Sequence, residues 1–194
     1  MNSDLLTKIE ETILKLPKGL QEHILRTRNL ACDIASFYSI DISKCDTAAA
    51  AHDIVRHLTP NELLDCAKKY LVEINELYRR QPILLHGPVA AKIIEVDYFC
   101  KDYDIISAVK YHTTGRPNMG DIEKVVFIAD KIEPRKIKKN PSLKPVEELI
   151  FKDINLAIKE YLSVRFKILL DSNALIDPVA VDTWNNFMGN KSFN

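Results

Sequence analysis

From one end of this 194-residue chain to the other, the apolar residues recur every three or four positions and almost nowhere every two. Leu5, Ile9 and Ile13 stand four apart, and Leu20, Ile24, Ala31, Ile34 and Ala35 keep a comparable spacing. A period near 3.6 lines one face of an α-helix, whereas a half-buried strand would alternate. Neither an Asn-Gly hairpin signal nor an internal repeat interrupts the pattern. The chain is therefore expected to be all-α.

The breaks fall at proline, glycine and capping residues. A helix over 4–15 is stopped by Pro17-Lys18-Gly19, and a longer one follows. Ser43 is placed to cap the next, which runs through Ala48-Ala49-Ala50-Ala51 into His52-Asp53. Thr59-Pro60-Asn61-Glu62 reads as a capping box with proline at the first helical position. Residues 73–81 read as a loop, and Gly87-Pro88 as the opening of a helix over 88–99. Two more are expected over 103–112 and 121–132, joined by the polar loop 113–118. The stretch 133–145 holds Pro134, Pro141, Pro145 and five basic residues and reads as an exposed connection. Helices over 145–152 and 153–171 follow, and Asp177-Pro178 caps a last one containing Trp184. The expected architecture is a single compact helical domain over 1–194, with a core at about 18–132 and C-terminal helices at about 145–190.

Composition removes several function classes. With 27 basic and 27 acidic residues the formal net charge is zero, so no global field exists to hold nucleic acid or an anionic membrane. The basic run Arg135-Lys136-Ile137-Lys138-Lys139 is short and lacks interleaved aromatics, so nucleic acid is not an expected partner. No apolar run approaches a membrane span, and the first residues lack the pattern of a secretory signal, which leads to the expectation of a cytoplasmic protein. Cysteines at 32, 45, 66 and 100 show no C-x-x-C spacing. They are expected to be reduced thiols, with Cys32 and Cys66 in the core.

The chemistry gathers around His52-Asp53. Four alanines before the pair allow another backbone to approach closely, so the aspartate should lie at a packed helix junction, where an unpaired carboxylate is costly. His23 lies on a helix face with Thr27, Leu30 and Ile34. His86 precedes a helix start, His112 ends a helix, and Asp130 follows the apolar run Val125-Val126-Phe127-Ile128-Ala129. His57, just before the Thr59 cap, reads as a solvated helix end and is set aside. Each group has an ordinary explanation taken singly: a core histidine, a cap, or for Asp130 an ion pair with Lys131 or Arg135. Together they form a nitrogen and oxygen donor set without cysteine, which suits iron, manganese, zinc or nickel rather than calcium.

The series His23, His52-Asp53 and Asp130 resembles the H…HD…D pattern of the HD-domain superfamily of metal-dependent phosphohydrolases. Leu85-His86-Gly87-Pro88-Val89-Ala90 looks like the LHGPVGA segment of the YqeK-type proteins within it. Tyr111-His112-Thr113-Thr114-Gly115-Arg116-Pro117 matches their YHTTGRP, and Ala129-Asp130-Lys131-Ile132-Glu133-Pro134 is similar to their ADYIEP. The resemblance implies an HD-domain helical bundle acting as a symmetrical bis(5'-nucleosyl)-tetraphosphatase, which hydrolyses diadenosine tetraphosphate to two ADP at a centre of two metal ions, iron by the resemblance. Carried over residue by residue, it implies His23, His52, Asp53, His86, His112 and Asp130 as metal ligands. It implies Thr113, Thr114, Gly115, Arg116, Glu133 and Arg135 along the nucleotide, with Arg56 near the phosphates. Asp53, having two carboxylate oxygens, is the natural bridging ligand, and Arg56 and Arg116 are expected to offset phosphoryl charge. Two other readings stay open: an HD-domain phosphohydrolase for nucleoside monophosphates or cyclic nucleotides, and a non-catalytic nucleotide-binding HD domain. A homodimer is left open as well.

Overall fold

A computed structural model describes residues 2–189, so the expected domain edges near 1, 190 and 194 lie outside the described residues. Among these residues there are α-helices and short 3-10 turns and no strands, as the apolar period requires. Helix α1 (Asn2–Ile13) buries Leu5 and Ile9 against α3. Pro17 is the N-cap of α2 (Lys18–Phe37), so the proline that ends one helix also starts the next. The buried face of α2 carries Ile24, Thr27, Ala31, Ile34 and Ala35 toward α3 and α8.

Helix α3 (Ile42–Ala51) is the central rod, and Ala48 through Ala51 are fully buried. Its cap is Asp41 rather than Ser43. The Asp41 carboxylate accepts from Lys44 N–H at 3.0 Å, the ordinary reach of an N-cap to the third helical residue. The capping box at the start of α4 (Pro60–Lys69) forms as expected, with Glu62 accepting from Thr59 N–H at 2.8 Å.

Two stretches expected to be irregular are ordered turns. Within 73–81, Asn75 caps the short helix α5 (Glu76–Arg80), and a 3-10 turn (Pro82–Leu85) leads directly into α6 (His86–Val96). His86 therefore lies inside the first turn of α6 rather than before it. Pro88 is tolerated there because the first-turn N–H groups have no intrahelical partner. Beyond α7 (Tyr103–Tyr111) and α8 (Asp121–Ile132), the expected exposed connection over 133–145 forms α9 (Pro134–Lys139) and a 3-10 turn (Pro141–Leu143). Ile137 and Leu143 are buried, so the segment is packed on the domain despite its lysines and prolines. Helices α10 (Lys144–Ile150), α11 (Ile154–Asp171) and α12 (Pro178–Met188) complete the fold, capped at α11 by Asp153 and at α12 by Asp177.

The cysteine expectation is also corrected. Cys45 and Cys100 are buried, whereas Cys32 and Cys66 are only half-buried. Burial pushes the Cys45 thiol up to about 12.

The packing of α2, α3, α7 and α8 forms the core, α6 lies on α7, and α11 leans on α8 with α12 behind it. Ile34, Leu63, Ile105, Phe127 and Ile128 are among the fully buried side chains. Each contributes on the order of 1.5–3 kcal/mol from removal of apolar surface from water. The crossing of α6 and α7 is close because Gly87 lacks a side chain. A Cβ at that position would lie 2.9 Å from Lys110 O and 3.2 Å from Val109 O.

Candidate metal centre

Five segments bring their polar ends to one point. His23 comes from the first half of α2, His52 and Asp53 from the turn after α3, His86 from the start of α6, His112 from the end of α7 and Asp130 from the last turn of α8. The rings are aimed by the backbone. Three of the histidines stand three residues after a carbonyl that the end of a helix or turn leaves available. His52 Nδ1 donates to Ala49 O at 2.7 Å and His112 Nδ1 to Val109 O at 2.8 Å. His86 Nδ1 donates to Ile83 O in the same way. Each Nε2 then points inward and can offer its lone pair once it carries no proton, as in metal-ligating histidines held through their other nitrogen. His23 Nδ1 faces the Glu133 carboxylate at 3.5 Å and is oriented by it.

Asp53 is the hub. Its Oδ2 lies 3.4 Å from His23 Nε2 and 3.5 Å from His52 Nε2. Its Oδ1 lies 3.2 Å from His86 Nε2 and 3.5 Å from His112 Nε2. Asp130 Oδ1 closes the first half, 3.1 Å from His23 Nε2 and 3.7 Å from His52 Nε2. The donors thus fall into two sets, one on each oxygen of Asp53. His86 Nε2 and His112 Nε2 are 2.9 Å apart, and His23 Nε2 and His52 Nε2 3.3 Å apart. With the Nδ1 protons committed to carbonyls, His86 and His112 present lone pair to lone pair, an arrangement that a cation between them relieves. Two ligands at about 2.0–2.1 Å from one ion and at right angles would be about 3 Å apart, so the donor set fits a transition-metal ion.

Charge is distributed accordingly. Burial works against ionisation of Asp53, but His52, His112 and His23 outweigh it and hold its carboxyl well below the usual range. Burial also opposes the charge on Asp130, which Lys131, Lys136, His23 and His52 likewise overcome. Burial would lower His52, yet Asp53 and Asp130 lift it to about 10. His112, where burial prevails, is lowered to about 4. The centre therefore holds two carboxylates and at least one neutral imidazole, a composition ready to exchange a proton for a metal cation.

Above the centre opens a cleft of about 410 Å³. Asp53, Arg56, His86, His112, Thr113 and Asp130 line its inner part. Thr113 Oγ1 lies 3.2 Å from His112 Nε2 and 3.3 Å from His86 Nε2. The other residues of the expected nucleotide wall do not line this cleft. Arg116 makes a bidentate pair with the buried Glu123, Nε to Oε1 at 2.7 Å and the second nitrogen to Oε2 at 2.7 Å. Gly115, at φ +67°, turns the chain so tightly onto α12 that a Cβ would lie 2.7 Å from Thr183 Cγ2. Thr114 donates to Gly115 O within the same turn. Glu133 is buried between His23 and Arg26, whose Nε donates to it at 2.6 Å, and it caps α9 through Arg135 N–H at 2.9 Å. The Arg135 side chain itself is exposed and outside the cleft lining.

Other residues at this site were not singled out from the sequence. Lys136 Nζ lies 2.6 Å from Asp130 Oδ1 and Lys131 Nζ 2.7 Å from Oδ2. The sequence offered Lys131 or Arg135 as partners for Asp130, and the structure selects both Lys131 and Lys136. Lys139 and Arg165 lie further along the cleft. The basic run over 135–139 was the available signal, but its direction could not be read before α9 was seen to pack. Arg26 shares the buried Glu133 with His23 and had no signal beyond helical spacing.

Comparison with known proteins gives a consistent result. The HD domain family model matches residues 20–135. Over 167 residues, 86% of this chain and 88% of the relative, the sequence is 32% identical to the symmetrical bis(5'-nucleosyl)-tetraphosphatase of Halalkalibacterium halodurans. It is 38% identical over 120 residues to the protein of the same description from Staphylococcus aureus, covering 62% of this chain and 61% of that one. Among solved structures, a predicted HD superfamily hydrolase involved in NAD metabolism from Clostridium acetobutylicum superposes with a TM-score of 0.88 at 25% identity, covering 95% of this chain and 97% of that one.

Proposed function

The chain belongs to the HD-domain family, and from that premise we propose that it is a metal-dependent symmetrical bis(5'-nucleosyl)-tetraphosphatase, hydrolysing diadenosine tetraphosphate to two ADP. The observation that carries the reading is the division of four imidazoles between the two oxygens of Asp53, with Asp130 beside one pair, at the floor of a cation-lined cleft. His23, His52 and Asp130 would hold one ion and His86 and His112 a second, with Asp53 available to both. Iron is the metal of the family resemblance, and manganese, nickel or zinc suit the same donors. A pair of ions in such a site supplies an activated water and charge neutralisation at the phosphoryl group.

The chain's own residues do the rest. Backbone carbonyls and Glu133 keep the imidazoles in the ligating tautomer. Thr113 reaches the reacting phosphoryl group, and Arg56 takes a non-bridging oxygen. Lys131 and Lys136, already beside Asp130, compensate the polyphosphate charge that the carboxylates would otherwise repel. Among the described residues no helix is long and apolar enough to cross a membrane, and the small nucleotide substrate is met in the cytoplasm.

The test is a single-turnover reaction in ¹⁸O-labelled water with the metal-loaded chain, the products separated by chromatography. Attack at the phosphorus next to the central bridge oxygen breaks that bridge and leaves two ADP, one labelled on its β-phosphate. ATP with AMP overturns the symmetrical reading. Turnover of nucleoside monophosphates or cyclic nucleotides with none of diadenosine tetraphosphate moves the substrate elsewhere in the family.

A further inference from the structure

Three of the four inward imidazoles are held by a carbonyl of their own turn, and His23 is the exception. It stands inside α2, where the carbonyls one turn back accept from the helix's own N–H groups. No local carbonyl is left to fix the ring, so its orientation and tautomer depend on a side chain brought from elsewhere in the fold. That side chain is Glu133, at the junction of α8 and α9, whose Oε1 lies 3.5 Å from His23 Nδ1.

Glu133 is itself held from one side. Its side chain is 2% exposed, and both hydrogen bonds that it accepts among the described residues fall on Oε2. One comes from Arg26 Nε at 2.6 Å, the other from Arg135 N–H at 2.9 Å. With Oε2 committed to two donors, Oε1 is the atom that faces the imidazole. A carboxylate can only accept, so the nitrogen opposite it carries the proton and Nε2 is left free for an ion. Arg26 follows His23 by three positions on α2, which lets both side chains reach the same carboxylate from one helix face. Its guanidinium has no other carboxylate partner among the described residues and does not line the cleft. It compensates a buried charge that would be costly unpaired, and it fixes the rotation of the carboxylate.

We propose that Arg26 is a positioning residue of the metal centre: by pinning Oε2 of Glu133 it makes Oε1 the acceptor for His23 Nδ1–H and keeps the His23 Nε2 lone pair turned toward the ion. The inference rests on the metal-centre reading above and adds to it a residue that acts from outside the cleft. It has a consequence that simple packing does not have. In a Glu133→Gln variant, the two donors at the Oε2 position require the amide oxygen there. The amide nitrogen then takes the place of Oε1 and turns its N–H toward His23 Nδ1. The imidazole satisfies that donor by moving its own proton to Nε2, the nitrogen that should ligate. The variant keeps the shape of the wild type and inverts the tautomer, and Arg26 is one of the two groups that enforce the inversion.

Calorimetric titration of cobalt(II) into the chelator-treated full chain tests this, using wild type, Arg26→Met, Glu133→Gln and the double variant. Glu133→Gln should weaken cobalt binding about tenfold or more. Arg26→Met alone should weaken it about threefold or more, since the carboxylate loses one of its two anchors. In the Glu133→Gln background the sign reverses. Removing Arg26 leaves only Arg135 N–H to hold the amide oxygen, so the amide can turn over and accept from His23, and affinity should recover about threefold or more. A loss from Arg26→Met of the same factor in both backgrounds makes Arg26 merely structural and overturns the proposal. Should Arg26→Met not fold, Glu133→Gln decides by itself, and a cobalt affinity within about twofold of wild type overturns the proposal. Wild type that takes up no cobalt removes the metal reading and this role with it. Cobalt bound equally by wild type and all variants removes the role of Arg26 and leaves the metal reading standing.

Discussion

Replacing Gly87 by alanine tests how the α6–α7 crossing builds the metal centre. The added methyl would meet Lys110 O at 2.9 Å, Val109 O at 3.2 Å and His112 Cε1 at 3.2 Å. Carbon–oxygen contacts are ordinarily about 3.3–3.6 Å, and two of these three atoms are backbone, so α6 must retreat by several tenths of an ångström. Overpacking of this kind costs about 1–3 kcal/mol. Alanine regains at most about 1 kcal/mol of helix propensity, and less in a first turn. The clash therefore wins, by about 1–2 kcal/mol. At about 2–4 °C per kcal/mol for a domain of this length, Tm should fall by about 2–8 °C. The same retreat moves His86 from His112 and presses on Val109 O, the carbonyl that anchors His112 Nδ1. Losing such an anchor weakens metal binding by roughly 10–100-fold. The measurements are calorimetric unfolding of the chelator-treated protein and a metal titration. Gly19→Ala serves as the control, because a Cβ there meets nothing within 4 Å. A Gly87→Ala protein with wild-type Tm and wild-type metal affinity would show that the close crossing does not set the site.

The two-sided arrangement around Asp53 predicts that His86→Ala lowers bound metal from about two toward one per chain, while Asp53→Asn lowers it further and abolishes hydrolysis; elemental analysis showing unchanged stoichiometry in both would refute the assignment. Arg116→Ala should lower Tm by about 4–8 °C, the effect of about 2 kcal/mol for removing a part-exposed partner from the buried Glu123, with activity per folded molecule preserved. A loss of activity without a loss of stability would instead return Arg116 to the phosphates. Because His52 is lifted to about 10 in the metal-free site, it is protonated at neutral pH and must lose that proton to ligate. Metal affinity should therefore rise with pH between about 7 and 10 and level off above it, with proton release visible as a buffer-dependent calorimetric heat. A pH-independent affinity with no proton release contradicts that charge state.

Helix order and the residue types that gather around Asp53 were legible because both are written locally. A 3.6-residue period and a capping box such as Thr59 to Glu62 concern residues within one or two turns of each other, and the structure keeps them nearly unchanged. The donors could be picked out by chemistry, since a carboxylate after five apolar residues, as at Asp130, has few inexpensive environments. The residues that stand around those donors were decided by tertiary packing. Arg116 reads as a phosphate ligand until the left-handed turn at Gly115 lays the loop on α12 and brings the guanidinium to Glu123. Lys136 and Arg165 belong to a run of lysines and to an ordinary helix until α9 and α11 dock beside α8 and face the same cleft. Glu133 reads as part of a nucleotide wall until burial against His23 and Arg26 makes it the partner of both side chains. A long cationic or anionic side chain can swing through many directions at little energetic difference. Its partner is fixed only when packing of distant segments removes water from all but one of them.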